Sequence, residues 1–281
     1  MASSLVAPSQ KDVVALARQS KLGWLAFPLV GAAAIFYMRV VRGHRVKDLA
    51  AVRRRFRAIA RTRRPIVICA NHLTMVDSVL LHWALSSPLD YVRQFRLFSW
   101  NVPAVENFKR NAAISLLTYL TKTVAIDRTG SSEHHREVLG KLGHLLRAGE
   151  MVTIFPEGGR SRTGRVEPEQ VTYGVGQLLR EVPDALVVCV YLRGDRQETW
   201  GNMPARGDTI EIDLETLEPS THASGMRAAR DLSRQVIGKL KEMEERYLGR
   251  RRPAPAGSRL APRALVAARP RTPEASSSPA A

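Results

Sequence analysis

Cysteine is almost absent from this chain: Cys69 and Cys189 are the only two in 281 residues. Each lies within a short apolar run that reads as a buried strand. Two such thiols build neither a disulfide framework nor a cysteine-rich metal cluster, and small buried hydrophobes in a reducing compartment are the expectation. No grouping of His, Cys and Asp has metal-ligand spacing, so no metal is expected. The Gly-Lys-Ser/Thr ending of a P-loop is missing, as is the G-x-S-x-G turn of a serine hydrolase. No internal repeat, zinc-finger spacing or RNA-binding aromatic signature appears. Acidic side chains are also in short supply. Against 43 Lys and Arg stand 26 Asp and Glu, a net charge of +17.

Such a surplus implies polyanionic partners: nucleic acid, an anionic membrane face, or small phosphorylated substrates. Position separates them. Eleven Arg and Lys lie between Arg39 and Arg64, beginning where the longest apolar run ends. That placement favours anionic membrane lipids as partners, and no nucleic acid is expected.

The run itself, Leu22 to Met38 (LGWLAFPLVGAAAIFYM), holds no charge over seventeen residues. As a helix it reaches roughly 25 Å, the short end for crossing a bilayer core. Pro28 predicts a kink, which suits a re-entrant or interfacial hairpin as well as a span. About twenty residues precede the run, which argues against a cleaved signal peptide. A buried core helix is the competing reading. If the segment spans, the basic flank places the remaining body on the cytoplasmic side of the membrane.

From Pro65 onward, short β-branched runs alternate with longer helical ones. Strands are predicted over 66–70, 124–126, 152–155, 186–192 and 209–214. Helices are predicted from about Met75 to Leu85, from Asn107 to Thr121, from a Ser131 or Ser132 cap, through Leu178 and Leu179, and from about Met226 to Tyr247. This alternation argues for an α/β fold, a mostly parallel central sheet flanked by helices. The expected organisation is a membrane-associated helical segment (1–41), a basic juxtamembrane stretch (42–64), an α/β domain (65–249) and a disordered Pro/Ala/Arg/Ser tail (250–281).

Sites in such sheets gather at the carboxyl ends of strands, and three loops there stand out. In Asn71-His72-Leu73-Thr74-Met75-Val76-Asp77, the acid can accept from one imidazole nitrogen while the other takes a proton from an attacking hydroxyl. The same Thr74-to-Asp77 spacing resembles a capping box, in which the acid merely closes a helix start, and the loop alone does not separate these readings. Val124-Ala125-Ile126-Asp127-Arg128 ends a strand with a guanidinium. Phe155 to Arg165 (FPEGGRSRTGR) follows a strand with three Gly, three Arg, a Ser and a Thr. Glycines admit a ligand to the backbone and guanidiniums grip phosphate, so a phosphate-bearing substrate is favoured. His134 and His135 read as solvated, His82 and Trp83 as packing residues.

NHLTMVD, VAIDR and FPEGGRSRTGR resemble, in order and rough spacing, the first three motifs of the lysophosphatidate and glycerol-3-phosphate acyltransferases. The resemblance covers about residues 66–192. A fourth motif centres on proline in that family, and its counterpart, 187–190, carries cysteine instead. What the resemblance implies is direct transfer of a fatty acyl group from acyl-CoA or acyl-carrier protein, with no other cofactor. The acceptor would be lysophosphatidate in phospholipid biosynthesis, with glycerol 3-phosphate or another lysophospholipid as the alternative. His72 would be the base and Asp77 its orienting partner. Arg128, Arg160 and Arg162 would hold phosphate, Glu157 and Gly158 would shape the acceptor pocket, and Ser161 would bind substrate beside them. Backbone N–H groups at the helix start after His72 are expected to steady the oxyanion. Two other classes compete: a lipid hydrolase and a non-catalytic basic membrane adaptor.

Overall fold

A computed structural model describes residues 5–108 and 111–251. Its elements begin with α1 (Gln10–Phe36), β1 (Arg45–Val46), α2 (Leu49–Ala60), β2 (Ile66–Ala70), α3 (Asp77–Leu85) and α4 (Pro88–Arg93). There follow β3 (Trp100–Asn101), α5 (Val105–Phe108), α6 (Ala112–Leu120), α7 (Ser132–Arg147) and β4 (Met151–Ile154). The chain then forms α8 (Gly174–Glu181), β5 (Leu186–Gly194), β6 (Thr209–Leu217) and α9 (Gly225–Arg251). The tail expected after Arg250 falls, from residue 252, outside the described residues.

The six strands make one sheet in the order β1-β6-β5-β2-β4-β3. Every neighbouring pair is parallel except β5 with β6. This is the α/β class predicted from the alternation of strand and helix. β2 shows why the sheet is central: all five residues are buried, and they alternate between two cores. Val67 and Cys69 face the layer containing α7, α8 and α9, whereas Ile66, Ile68 and Ala70 face the layer of α2 and α3. Each such Val or Ile contributes about 1.5–3 kcal/mol by leaving water, and β-branched residues suit the pleat. Cys69 and Cys189 lie opposite one another in the β2–β5 register, both free and buried. Burial raises both thiols, Cys189 to about 12, so neither is a nucleophile at neutral pH.

Several local expectations needed correction. The helix placed from Met75 begins at Asp77, after a turn made by Thr74 to Val76. The single helix expected over Asn107 to Thr121 is described as α5 and α6, either side of residues 109–110. Asn111 is extended there and caps α6 by accepting the Ile114 N–H at 2.8 Å. Residues 124–126 form no strand, but pair through isolated bridges at Thr123 and Ile126. Ser131, rather than Ser132, caps α7.

The apolar N-terminal run forms no hairpin. Residues 10–36 are one continuous α-helix through Pro28, extended by a π-helical turn, Tyr37–Val41. Its buried positions, Leu16, Gln19, Gly23, Phe27 and Gly31, recur at helical spacing and form a single stripe. Along that stripe α1 packs on α6 and α4. A Cβ at Gly23 would lie 2.6 Å from the Leu120 carbonyl oxygen, so only glycine admits α6 this closely. Phe27 enters an aromatic cluster with Tyr91, Phe95 and Phe98, at centroid distances of 5.3–5.8 Å. The Gln19 amide donates to the carbonyls of Tyr119 and Thr123. Away from the stripe, Leu25, Leu29, Phe36 and Val40 are exposed, Leu29 by 79%.

Much of the basic stretch folds against the body. β1 joins the sheet edge, and α2 packs on α3 and β6. Arg55 pairs with Asp213 at 3.0 Å, Arg57 with Asp90 at 3.2 Å and Arg64 with Glu218 at 2.8 Å.

Candidate active site

β4, β2 and β5 lie side by side and parallel, so their carboxyl ends open onto one edge of the sheet. The loop leaving β2 carries His72, the loop leaving β4 carries Glu157 to Arg165, and the loop leaving β5 carries residues 195–208. Asn71 starts the arrangement. Its amide donates to the Leu192 carbonyl at 3.0 Å and accepts the Leu192 N–H at 2.8 Å, clamping the end of β2 to β5.

Asp77 holds the loop and the imidazole together, but it caps no helix: α3 starts at Asp77 itself, after Val76, with no side-chain cap. Its Oδ2 accepts the N–H groups of Leu73 at 2.6 Å and Thr74 at 2.7 Å, and its Oδ1 accepts the Thr74 hydroxyl at 2.5 Å. The same Oδ2 lies 3.0 Å from His72 Nδ1. A carboxylate bonded this way only accepts, so Nδ1 is the donor and the lone pair falls on Nε2. No described residue hydrogen-bonds that Nε2, and the side chain is 18% exposed, enough for a proton to be passed to it. The imidazole stacks on Phe155 at 4.2 Å between centroids, which fixes its plane. The N–H groups of Leu73 and Thr74 are thus already committed to Asp77.

Glu157 reaches across from the β4 loop, and its Oε1 accepts the His72 N–H at 2.9 Å. Burial pushes its carboxyl up to about 8, opposed by the His72 N–H and reinforced by the carboxylates of Glu244 and Asp77. The shift favours its uncharged form. Gly158 has φ +68°, and a Cβ there would strike the Thr172 methyl at 2.4 Å. Any side chain there would be strained.

Of the predicted phosphate-binding arginines, Arg128 and Arg162 are exposed and Arg160 is half-buried. Arg128 comes from a different part of the chain, yet a Cβ on Gly159 would lie 3.8 Å from its Nη1. The second and third motifs therefore meet. The Arg128 turn is held by both histidines that were expected to be solvated. His134 Nε2 accepts the Asp127 N–H at 3.0 Å, and His135 Nε2 donates to the Asp127 carbonyl at 2.7 Å. Ser161 behaves differently from its neighbours. Its hydroxyl donates to the Arg165 carbonyl at 2.5 Å and accepts the Arg165 N–H at 3.0 Å, while its N–H donates to the His72 carbonyl at 2.9 Å. The side chain serves the turn and the backbone serves the His72 loop.

Behind the site, His82 and Trp83 are packing residues, as expected. His82 is buried, its imidazole held low at about 4 by desolvation, and its Nε2 is 2.9 Å from Ser99 Oγ.

Two features escaped the sequence reading. Arg193, at the end of β5, is buried and fans its guanidinium to the carbonyls of Gly164, Gln197 and Glu198 at 2.7–2.8 Å. An arginine closing an otherwise apolar strand was the available signal. The second is the segment Trp200–Asn202. Gly201 donates its N–H to the Leu73 carbonyl at 2.9 Å and bridges Thr74. Nothing in the local sequence marks it.

A family model described as Acyltransferase matches residues 45–193, more than half of the chain. The chain belongs to the acyltransferase family, whose chemistry is that of lipid metabolism. No curated protein matches it.

Proposed function

We propose that this chain transfers a fatty acyl group from acyl-CoA or acyl-carrier protein directly to the free hydroxyl of lysophosphatidate. The observation that carries the reading is the His72–Asp77 pair, 3.0 Å apart, at the sheet edge where the arginines of two motifs meet. His72 Nε2 takes the hydroxyl proton as the oxygen attacks the thioester carbonyl. The tetrahedral intermediate then collapses, the C–S bond breaks, and the imidazolium returns the proton to the leaving thiolate. Asp77 holds the tautomer and offsets the positive charge that develops on His72. No acyl-enzyme is needed, because the lipid hydroxyl is itself the nucleophile.

Arg128, Arg160 and Arg162 grip the phosphate of the acceptor. An uncharged Glu157 suits that neighbourhood, because an ionised carboxylate would repel a phosphate held beside His72. Gly158 lets the chain turn without a side chain in the acceptor's path. Ser161 acts through the turn it closes.

A membrane surface is the natural source of such an acceptor, which already carries one acyl chain. α1, with its turn to Val41, is the one described helix long and apolar enough to cross a bilayer, and only 11% of its apolar window is buried. The packed stripe from Leu16 to Gly31 favours attachment along the membrane face rather than a free-standing span. It ties about 22 Å of helix to the folded body, and that length could not enter the bilayer alone. Basic residues outside the ion pairs of α2 would meet anionic lipids of the cytoplasmic leaflet. The test is an assay of purified protein with labelled acyl-CoA and a panel of acceptors. Esterified lysophosphatidate is the expected product. Release of free fatty acid without an acceptor would point to a hydrolase, and no turnover at all to an adaptor.

A further inference from the structure

The arginines assigned to the acceptor phosphate are long, and two of them carry the same charge within one loop. Left in water, each would sample many rotamers, and ordering both on binding would cost affinity. The structure shows them already placed. The guanidinium carbons of Arg160 and Arg162 lie 4.9 and 4.6 Å from the centroid of the same indole ring, Trp200. An indole face is the strongest of the aromatic surfaces for a cation. Arg160 is pinned further, its Nη1 donating to the Gly201 carbonyl at 3.0 Å and to the Asn202 Oδ1 at 3.2 Å. That leaves the other edge of its guanidinium for an anion.

The platform can do this only if it is itself fixed, and contacts with Arg193, Gly164 and the His72 loop fix it. Arg193 holds the Glu198 and Gln197 carbonyls on one side and the Gly164 carbonyl on the other, joining the Trp200 loop to the arginine loop. Gly164 has φ +70°, and a Cβ there would lie 2.5 Å from the Glu198 oxygen, so the two loops touch backbone to backbone. Gly201 donates to Leu73, immediately after the candidate base. Thr74 and Gly201 pair as a short parallel bridge. Trp200 meanwhile remains 36% exposed, a large cost for a residue with only a packing role.

We infer that Trp200, with Asn202, is a positioning residue that pre-orders Arg160 and Arg162 for the phosphate monoester of the acyl acceptor. This rests on the acyltransfer reading above and adds to it a third wall, contributed by the β5–β6 loop. The indole does not touch the reacting atoms. Its effect is on how much ordering the acceptor must drive when it binds, so it belongs in the acceptor KM and not in the acyl-transfer step.

Steady-state kinetics of the full-length protein in mixed micelles test this, with Trp200→Ala, Trp200→Phe and Asn202→Ala beside the wild type. Lysophosphatidate is the acceptor, or glycerol 3-phosphate should the wild type prefer it. Trp200→Ala should raise the acceptor KM about three- to ten-fold, leave kcat within about two-fold and leave the acyl-CoA KM unchanged. Trp200→Phe, which keeps an aromatic face, should recover most of the loss. Asn202→Ala should raise the acceptor KM less, and carries the test with Trp200→Phe should the alanine variant fail to fold. In an Arg160→Ala background, removing Trp200 should cost less than it does in the wild type. An unchanged acceptor KM, or a rise confined to the acyl-CoA KM, overturns the inference while leaving the acyltransfer reading intact. A wild type inert with both acceptors overturns both.

Discussion

Glu157 and His72 are joined at the backbone: the Glu157 Oε1 accepts the His72 N–H at 2.9 Å, across 85 residues of chain. The candidate base is thereby held from both sides, by Asp77 on its ring and by Glu157 on its main chain. Because desolvation raises the pKa of the half-buried Glu157, this second hold is sensitive to pH.

The folded-state pKa of Glu157 is raised from 4.5 to about 8, chiefly by desolvation. Between those values the native chain binds a proton that the unfolded chain has released. Stability from this group is therefore lost as pH rises from about 4.5 to about 8, with a total on the order of a few kcal/mol. Glu157→Gln should flatten that part of the profile. Urea midpoints measured across pH 5 to 9 in both proteins check this, and parallel slopes would show the carboxyl to be ionised throughout.

Asp77→Asn should lose most activity, because an amide can present its N–H to Nδ1 and leave the ring in the wrong tautomer. Asp77→Ala should lose stability as well. It leaves the buried N–H groups of Leu73 and Thr74 without their acceptor, at about 1–3 kcal/mol. Thermal melts beside rate assays separate the effects, and a stable Asp77→Ala protein would count against the loop-holding role.

Arg128→Ala and Arg160→Ala should each lower acceptor kcat/KM about ten- to a hundred-fold, the equivalent of one charge-assisted contact of about 1.5–3 kcal/mol. The acyl-CoA KM should change far less. Loss of donor affinity with acceptor affinity retained would reassign these arginines to the phosphates of CoA.

Leu25 and Leu29 are exposed and lie outside the packed stripe of α1, so Leu25→Asp with Leu29→Asp should reduce sedimentation with anionic vesicles without unfolding the body. Removing α1 altogether is the harsher experiment. Phe27 belongs to the aromatic cluster around Tyr91, Phe95 and Phe98, and its loss would uncover that surface. Unaltered vesicle binding in the double variant would point to another membrane-binding surface.

The legible parts of this molecule were those in which function follows a contiguous stretch of sequence. β2 with its His72 loop, and β4 with its glycine- and arginine-rich loop, each read as an apolar strand followed by polar chemistry. The sheet that gathers them followed from the same alternation. What could not be read depends on tertiary contacts. Residues 124–126 are β-branched enough to suggest a strand but meet their neighbours only at single bridges. β1 and β3 have two residues each, too few for any period. His134 and His135 sit in a polar helical turn, and only the fold of the Arg128 loop brings Asp127 to them. Trp200 is a lone aromatic in a polar loop, placed beside Arg160 and Arg162 by the β5–β6 connection. The 74–77 spacing could not separate capping from imidazole contact because only the fold shows that α3 starts at Asp77, leaving its carboxylate to bond the loop and the His72 ring.

The most direct measurement is single-turnover acyl transfer by His72→Ala, with labelled acyl-CoA and lysophosphatidate both saturating. His72 is 18% exposed, and its removal leaves Asp77 bonded to Leu73 and Thr74, so folding should survive. The expected result is a fall in the transfer rate of at least about 10²–10⁴-fold, with binding of both substrates within a few-fold of wild type. Transfer at close to the wild-type rate would contradict a mechanism in which His72 takes the proton from the lipid hydroxyl.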